Sequence, residues 1–258
     1  MTDSTNNSTE REFIDLSPWG ENPRNVEELV FLQGPHGLGP ELLEALRIFS
    51  DTLRGMRSLH DLGPCVMVFG SAAIGEEHPF YPAAVSLGAG LARAGLSVLT
   101  RGGPGLMEAV NRGAQQAGGR SIGCGMKLHI NQMHNRYIDR SIEFRHWFLW
   151  RLLILKYACA LVALPDGLDA VAPIVEAATL IRSGRMKPLP VVLVGRSYWA
   201  PLLATLAQRP SSVGPEGPVS GSVPHVTDSI DEALQLASGP ALELYDRTRG
   251  RSRPPSSS

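Results

Sequence analysis

Cysteine is scarce. The 258 residues hold three, Cys65, Cys124 and Cys159. The count is odd, none is near another, and each sits in or beside an apolar run. That pattern reads as core thiols in a reducing compartment rather than a disulfide framework or a metal cluster. No metal is expected elsewhere either: His129 and His134 share a polar loop without a third ligand at convincing spacing. A surplus of either charge is missing too. The net charge is −1, so neither nucleic acid nor an anionic membrane is an expected partner. No apolar run reaches the roughly 18–20 residues of a membrane span, and the opening MTDSTNNSTEREF lacks the apolar stretch of a secretory signal. Together these absences point to the cytoplasm.

What the chain does have is glycine in one place that matters. Ser97–Gly125, SVLTRGGPGLMEAVNRGAQQAGGRSIGCG, opens with an apolar run, Ser97–Thr100, short enough to be a buried strand. Gly102, Gly103, Pro104 and Gly105 then supply a turn that lets backbone approach a ligand closely. Leu106–Gln116 has helical spacing and stops at Gly118-Gly119, and Ser121–Gly125 is a second short strand. Strand, glycine turn, helix, strand is the βαβ unit of a parallel sheet. A turn of this kind feeding a helix N-terminus is a ready anion site, half of a nucleotide site. The glycines do not follow GxGxxG, and no acidic residue is placed to read a ribose beyond the second strand. A nicotinamide role is therefore not expected, and no cofactor is.

With 43% hydrophobic and 19% charged residues, the chain is long and apolar enough for a sizeable core. Residues 1–24 and 241–258 are polar and expected to be disordered tails, leaving one domain over 25–240. Along that domain, Glu41–Leu59 reads as an amphipathic helix with Leu42, Leu43, Leu46, Phe49 and Leu53 on its apolar face. Cys65–Phe69 reads as a buried strand ending in Gly70-Ser71-Ala72, and Pro79–Ala94 as a helix stopped by Gly95. Beyond the central unit come a polar loop over Lys127–Arg140, a strand at Ile142–Trp147 and a helix at Phe148–Tyr157. A strand follows at Cys159–Leu164, closed by Pro165-Asp166-Gly167, and then a helix at Ala170–Ser183 with Pro173 in its first turn. Val191–Val194 is a strand, Tyr198–Leu206 a helix, and Gln208–Val223 an exposed loop. Pro224–Val226 reads as an edge strand, and Ser229–Ala237 as a helix with Ser229 and Glu232 at capping-box positions. Strands alternating with helices argue a single doubly wound α/β domain, a parallel sheet flanked by helices. Ligands of such folds bind beyond the carboxyl ends of the strands, where Gly70, Ser71, Gly102–Gly105 and Pro165–Gly167 all fall.

GGPGLMEAVNRGA at Gly102–Ala114, followed by an RSIG strand, resembles the Lonely Guy (LOG) family, often labelled lysine decarboxylases. The similarity runs from about Leu46 to Ala237. It includes VFGSA before HPFY, FRHWFLWR at Phe144–Arg151, KYACALVALP and the closing HVTDSIDEAL. The resemblance implies a Rossmann-like fold, a homodimer or higher homo-oligomer, and cleavage of the N-glycosidic bond of nucleoside 5′-monophosphates to free base and ribose 5-phosphate. Cytokinin nucleotides and AMP are the family's usual substrates. It further implies Arg151 and Glu108 as catalytic residues, Glu108 touching ribose hydroxyls. A substrate, nucleoside monophosphate or nucleoside, would be bound through Gly70, Ser71, Gly102, Gly103, Pro104, Gly105, Met107, Asn111, Gly167, Asp169 and Ala170.

The family signature PGGxGTxxE is altered in this chain. The matching stretch is Pro165-Asp166-Gly167-Leu168-Asp169-Ala170-Val171-Ala172-Pro173, so Pro173 stands where the catalytic glutamate belongs. Breaking a glycosidic bond builds positive charge on the ribose, which a nearby carboxylate stabilises. Asp169-Ala170 replaces a Gly-Thr pair that would offer donors to a 5′-phosphate. Asp169 also reads simply as the N-cap of its helix. Asn111 and Arg112 read equally as packing residues, Glu176 as framework, and Trp147, Phe148 and Trp150 as core or interface. Three functions stay open: a weakened or substrate-shifted phosphoribohydrolase, a non-catalytic nucleotide-binding or interaction protein, and chemistry on an unphosphorylated nucleoside.

Overall fold

A computed structural model describes residues 31–34, 37–127, 134–207 and 224–250. The N-terminal tail, His129 and the Gln208–Val223 loop lie outside those residues. The described chain runs α1 (Leu38–His60), β1 (Cys65–Phe69), α2 (Phe80–Arg93), β2 (Ser97–Thr100), α3 (Leu106–Gln116), β3 (Ser121–Met126) and β4 (Arg140–Phe144). It continues with α4 (Trp147–Tyr157), β5 (Ala160–Ala163), α5 (Leu168–Arg182), β6 (Val191–Val194), α6 (Arg196–Ala207), β7 (His225–Thr227) and α7 (Ile230–Gly250).

The seven strands form one parallel sheet in the order β4-β3-β2-β1-β5-β6-β7. Parallel strands need crossover helices, so both faces of the sheet are covered and its strands can be apolar throughout. Side chains alternate across β1. Cys65, Met67 and Phe69 meet α1, α4, α5 and α6, whereas Val66 and Val68 meet α2, α3 and α7. All three cysteines are buried and free. Burial pushes the Cys124 thiol up to about 12 and raises those of Cys65 and Cys159, which makes them poor nucleophiles. The chain leaves β4 at one edge and re-enters at β5 beside β1, so the topological switch point lies between β1 and β5.

Helices α2 and α3 cross with their backbones in contact. A Cβ on Gly88 would stand 2.0 Å from the Val110 carbonyl oxygen, and one on Gly113 1.9 Å from that of Val85. This contact fixes α3, and with it the glycine turn at its N-terminus.

Several expectations shift. Helix α1 packs through Asp51, Gly55 and Leu59, and leaves Leu42, Leu43, Leu46, Phe49 and Leu53 exposed. The reason is Gly55: only a bare backbone fits there, since a Cβ would lie 2.4 Å from the Phe144 ring and 2.8 Å from Leu153. Strand β4 begins at Arg140, set by pairing of Ile122 to Arg140 and Met126 to Phe144. Helix α5 starts at Leu168 with Gly167 as its N-cap, so Pro173 falls in the second turn rather than the first. Helix α7 continues past Ala237 because Ala233, Ala237 and Ala241 keep one face on the core, so the expected C-terminal tail is helical through Gly250. At its start Ser229 Oγ accepts from the Glu232 N–H (3.3 Å); the Glu232 carboxylate turns to the Thr227 hydroxyl instead of closing the box. Among the described residues, no helix is long and apolar enough to cross a membrane.

Candidate functional site

Three loops meet at the carboxyl ends of β1, β2 and β5. The β1 loop is pinned on both sides: the Ser71 N–H donates to the Pro165 carbonyl (3.0 Å), and the Ser71 carbonyl accepts from the Leu106 N–H (3.0 Å). Gly70 lies flat on α3, where a Cβ would be 2.8 Å from that of Leu106. In the β2 loop, Gly102 and Gly105 both take positive φ, +86° and +71°, which side chains rarely adopt. A Cβ on Gly105 would also stand 2.5 Å from the Ser71 carbonyl oxygen.

A buried network holds this turn from beneath. Thr100 Oγ1 accepts from the Gly102 N–H (2.9 Å) and donates to Asn111 Oδ1 (2.6 Å). The Asn111 amide donates to Ser121 Oγ (2.9 Å). Asn135 Nδ2 reaches both Asn111 Oδ1 (3.0 Å) and the Gly103 carbonyl (2.9 Å). Asn111 is fully buried and its amide is spent on these bonds, so it positions the turn and does not present itself to a ligand. Met107 is buried with its methyl group under Gly103, again a prop. Asn135 and Thr100 went unnoticed in the sequence; an Asn in a polar loop carries no spacing that would announce it.

The signature stretch is rearranged as well. Ala170 is buried in the core and its N–H turns back to the Gly167 carbonyl (3.2 Å), because α5 begins earlier than its spacing suggested. Neither of its groups is left for a ligand. Asp169 is not the cap. It sits in the first turn of α5 and forms an ion pair with Arg101, the residue before the glycine turn. The Arg101 guanidinium lies 5.1 Å above the Trp147 ring. Arg101 is the charged side chain of the crevice that sequence reasoning missed; its signal was an arginine directly after a buried strand. Asp166 is half-buried and accepts from the Gly167 N–H (2.8 Å). Burial foremost, with Asp169 adding, raises its carboxyl to about 6 against the pull of the Gly167 N–H and Arg101. The Tyr198 hydroxyl donates to the Asp166 carbonyl, tying α6 to the same loop. Gly167 and Pro104 are exposed at the rim.

The two expected catalytic residues stand on helices that cover opposite faces of the sheet. Arg151, in the second turn of α4, forms an ion pair with Glu176 of α5. Glu108 is on α3, which covers the opposite face of the sheet from α4. There it adds to the field around Tyr81, whose hydroxyl is raised by burial first and by Glu108 and Glu76 after. Arg112 pairs with Glu76 (3.3 Å). Trp150 is core, its indole N–H donating to the Cys124 carbonyl (2.8 Å), whereas Phe148 is partly exposed. His134 contacts Glu143 (3.0 Å) and Ser141 (2.6 Å). Among the described residues, no three His, Cys, Asp or Glu side chains are grouped to hold a metal ion.

The family model described as possible lysine decarboxylase matches residues 107–236, and that of the SLOG cluster4 family matches residues 64–145. No curated protein matches the chain. Among solved structures, the structural-genomics protein TM1055 is 22% identical, with 66% of this chain and 95% of that one covered at a TM-score of 0.52. The molybdenum cofactor binding protein from the phototrophic bacterium Rippkaea orientalis is 19% identical (67% and 94% covered, TM-score 0.51). The molybdenum cofactor carrier protein from Chlamydomonas reinhardtii is 23% identical (67% and 94%, TM-score 0.50). At these identities the likeness is one of fold.

Proposed function

The chain belongs to the possible lysine decarboxylase family, the LOG group it resembles in sequence, and on that basis we propose that it hydrolyses the N-glycosidic bond of a nucleoside-type substrate, slowly and with a shifted preference. Family and fold support a nucleotide-related function; the specific reaction is our reading. One observation carries it: the β1, β2 and β5 loops are bonded together at the β1/β5 switch point, through Ser71–Pro165, Leu106–Ser71 and Arg101–Asp169, where open α/β sheets take their ligands.

In this reading the ribose lies over the glycine turn and Arg151, held by Glu176, lines the reacting side. The departing base needs a proton and the attacking water must lose one. Asp166, raised to about 6, is a carboxyl group suited to that exchange near neutral pH. Pro173 supplies no carboxylate, a loss that costs on the order of 100- to 10,000-fold in rate. Pro173 is also the observation behind a second reading, a protein that binds without turnover; neighbours titled cofactor-binding and carrier proteins are compatible with it.

The test is to incubate the protein with nucleosides and their 5′-monophosphates and to follow free base by chromatography. Slow base release that is lost in Arg151→Ala supports hydrolysis. Absence of release, with ligands still raising the melting temperature, supports the binding protein. Neither release nor binding overturns both.

A further inference from the structure

We propose that α1 pairs two copies of the chain, antiparallel and about a two-fold axis, through the apolar stripe it turns away from its own core. The family resemblance implies a homo-oligomer without saying which surface joins it; the surface and the pairing are read from α1 itself.

Leu42, Leu46, Phe49 and Leu53 follow one another at intervals of 4, 3 and 4 residues. That is the heptad spacing of a seam that packs into the holes of a second helix. At 3.6 residues per turn the seam lies about 140° round α1 from Asp51, Gly55 and Leu59, which hold the helix on the domain. Its four side chains are accordingly 64%, 56%, 62% and 40% exposed. Helix α4, which meets α1 where Leu153 faces Gly55, adds exposed Phe148 and Leu152. Together the six expose on the order of 600 Å², the upper end for the largest apolar patch of a monomer and most of the roughly 800 Å² each partner gives to a standard interface.

A second copy matches this seam because its spacing reads the same in both directions. A two-fold axis passing between Leu46 and Phe49 sets Leu42 against the partner's Leu53 and Leu46 against the partner's Phe49, so the seam is complementary to itself. Charge selects the direction. Glu41 and Glu44 lie near the start of α1, and Arg54 and Arg57 near its end. Antiparallel copies bring the acidic end of one to the basic end of the other, whereas parallel copies would align like charges. Docking through Gly55 already holds α1 in place, so pairing has little chain left to order.

Sedimentation equilibrium of the full chain tests the pairing, and disulfide formation tests its direction. The unmodified chain is expected to be a dimer. Leu46→Glu and Phe49→Glu, both at exposed positions, are expected to weaken it at least a hundredfold, because each buries an unpaired carboxylate in the seam, with the circular dichroism spectrum unchanged. The native thiols are buried, so an engineered pair can be followed against them. A mixture of the Leu42→Cys chain and the Leu53→Cys chain is expected to crosslink at least tenfold faster than either chain alone. A chain that stays monomeric into the hundred-micromolar range, its stripe then left to residues 1–30 or to another protein, overturns the inference. So does a dimer that both glutamate variants leave intact, or crosslinking that is fastest within one cysteine variant alone, the mark of a parallel seam.

Discussion

Asp166 shows how one residue changes the character of a loop. Its neighbours are the Gly167 N–H and Arg101, which favour the charged form, and Asp169, which opposes it; burial outweighs them and sets the carboxyl at about 6. An acid whose folded pKa lies above its ordinary value of 3.8 binds a proton on folding. Its charge therefore costs stability above about pH 6, and the cost fades as pH falls from 6 toward 4. Asp166→Asn keeps the oxygen that accepts from Gly167 and removes the charge. Thermal unfolding should show a gain of roughly 2–4 °C at pH 7.5, shrinking toward pH 4; an equal shift at both ends would contradict the assignment. At this scale the sequence was half legible. The missing glutamate at Pro173 could be read directly, and so could the glycines whose positive φ the turn demands. Asp169, Ala170 and Asn111 could not, because their roles depend on which way a side chain turns within one helical turn.

Among the elements, α3 matters most to the site, and its position is set by glycines rather than by large side chains. Gly113 lies in the stretch that resembles the LOG family, yet its place in the structure is against α2, not against a ligand. Gly113→Ala should lower stability by about 1–3 kcal/mol, read as a drop in the urea midpoint, since the Val85 carbonyl that its methyl group meets is backbone and cannot step aside. An unchanged midpoint would mean that α2 and α3 are not locked together. Strands were the most legible elements, because buried parallel strands are short continuous apolar runs. The face of α1 was the least legible: Leu42, Leu46 and Phe49 mark an apolar stripe, but the helix docks through Gly55, which periodicity does not count as apolar. Helix α7 runs past the Ala237 end expected for it, through Gly239 and Pro240, because Ala241 holds the next turn on the core.

For the molecule as a whole, alternation of strand and helix is enough to give the doubly wound fold, and the fold in turn places the ligand crevice. What it does not give is the partnering across that crevice. Arg101 and Asp169 are far apart in sequence and are brought together only when β5 is laid beside β1, as are Arg151 and Glu176 across α4 and α5. The central claim is that this crevice, and no other surface, is where ligand is met. Hydrogen–deuterium exchange with and without a saturating concentration of the tightest-binding nucleoside tests it directly. Protection is expected in residues 70–73, 101–107 and 165–170, with α7 unchanged. Protection centred on α1 or on the β7 edge, or none at saturation, would contradict the account.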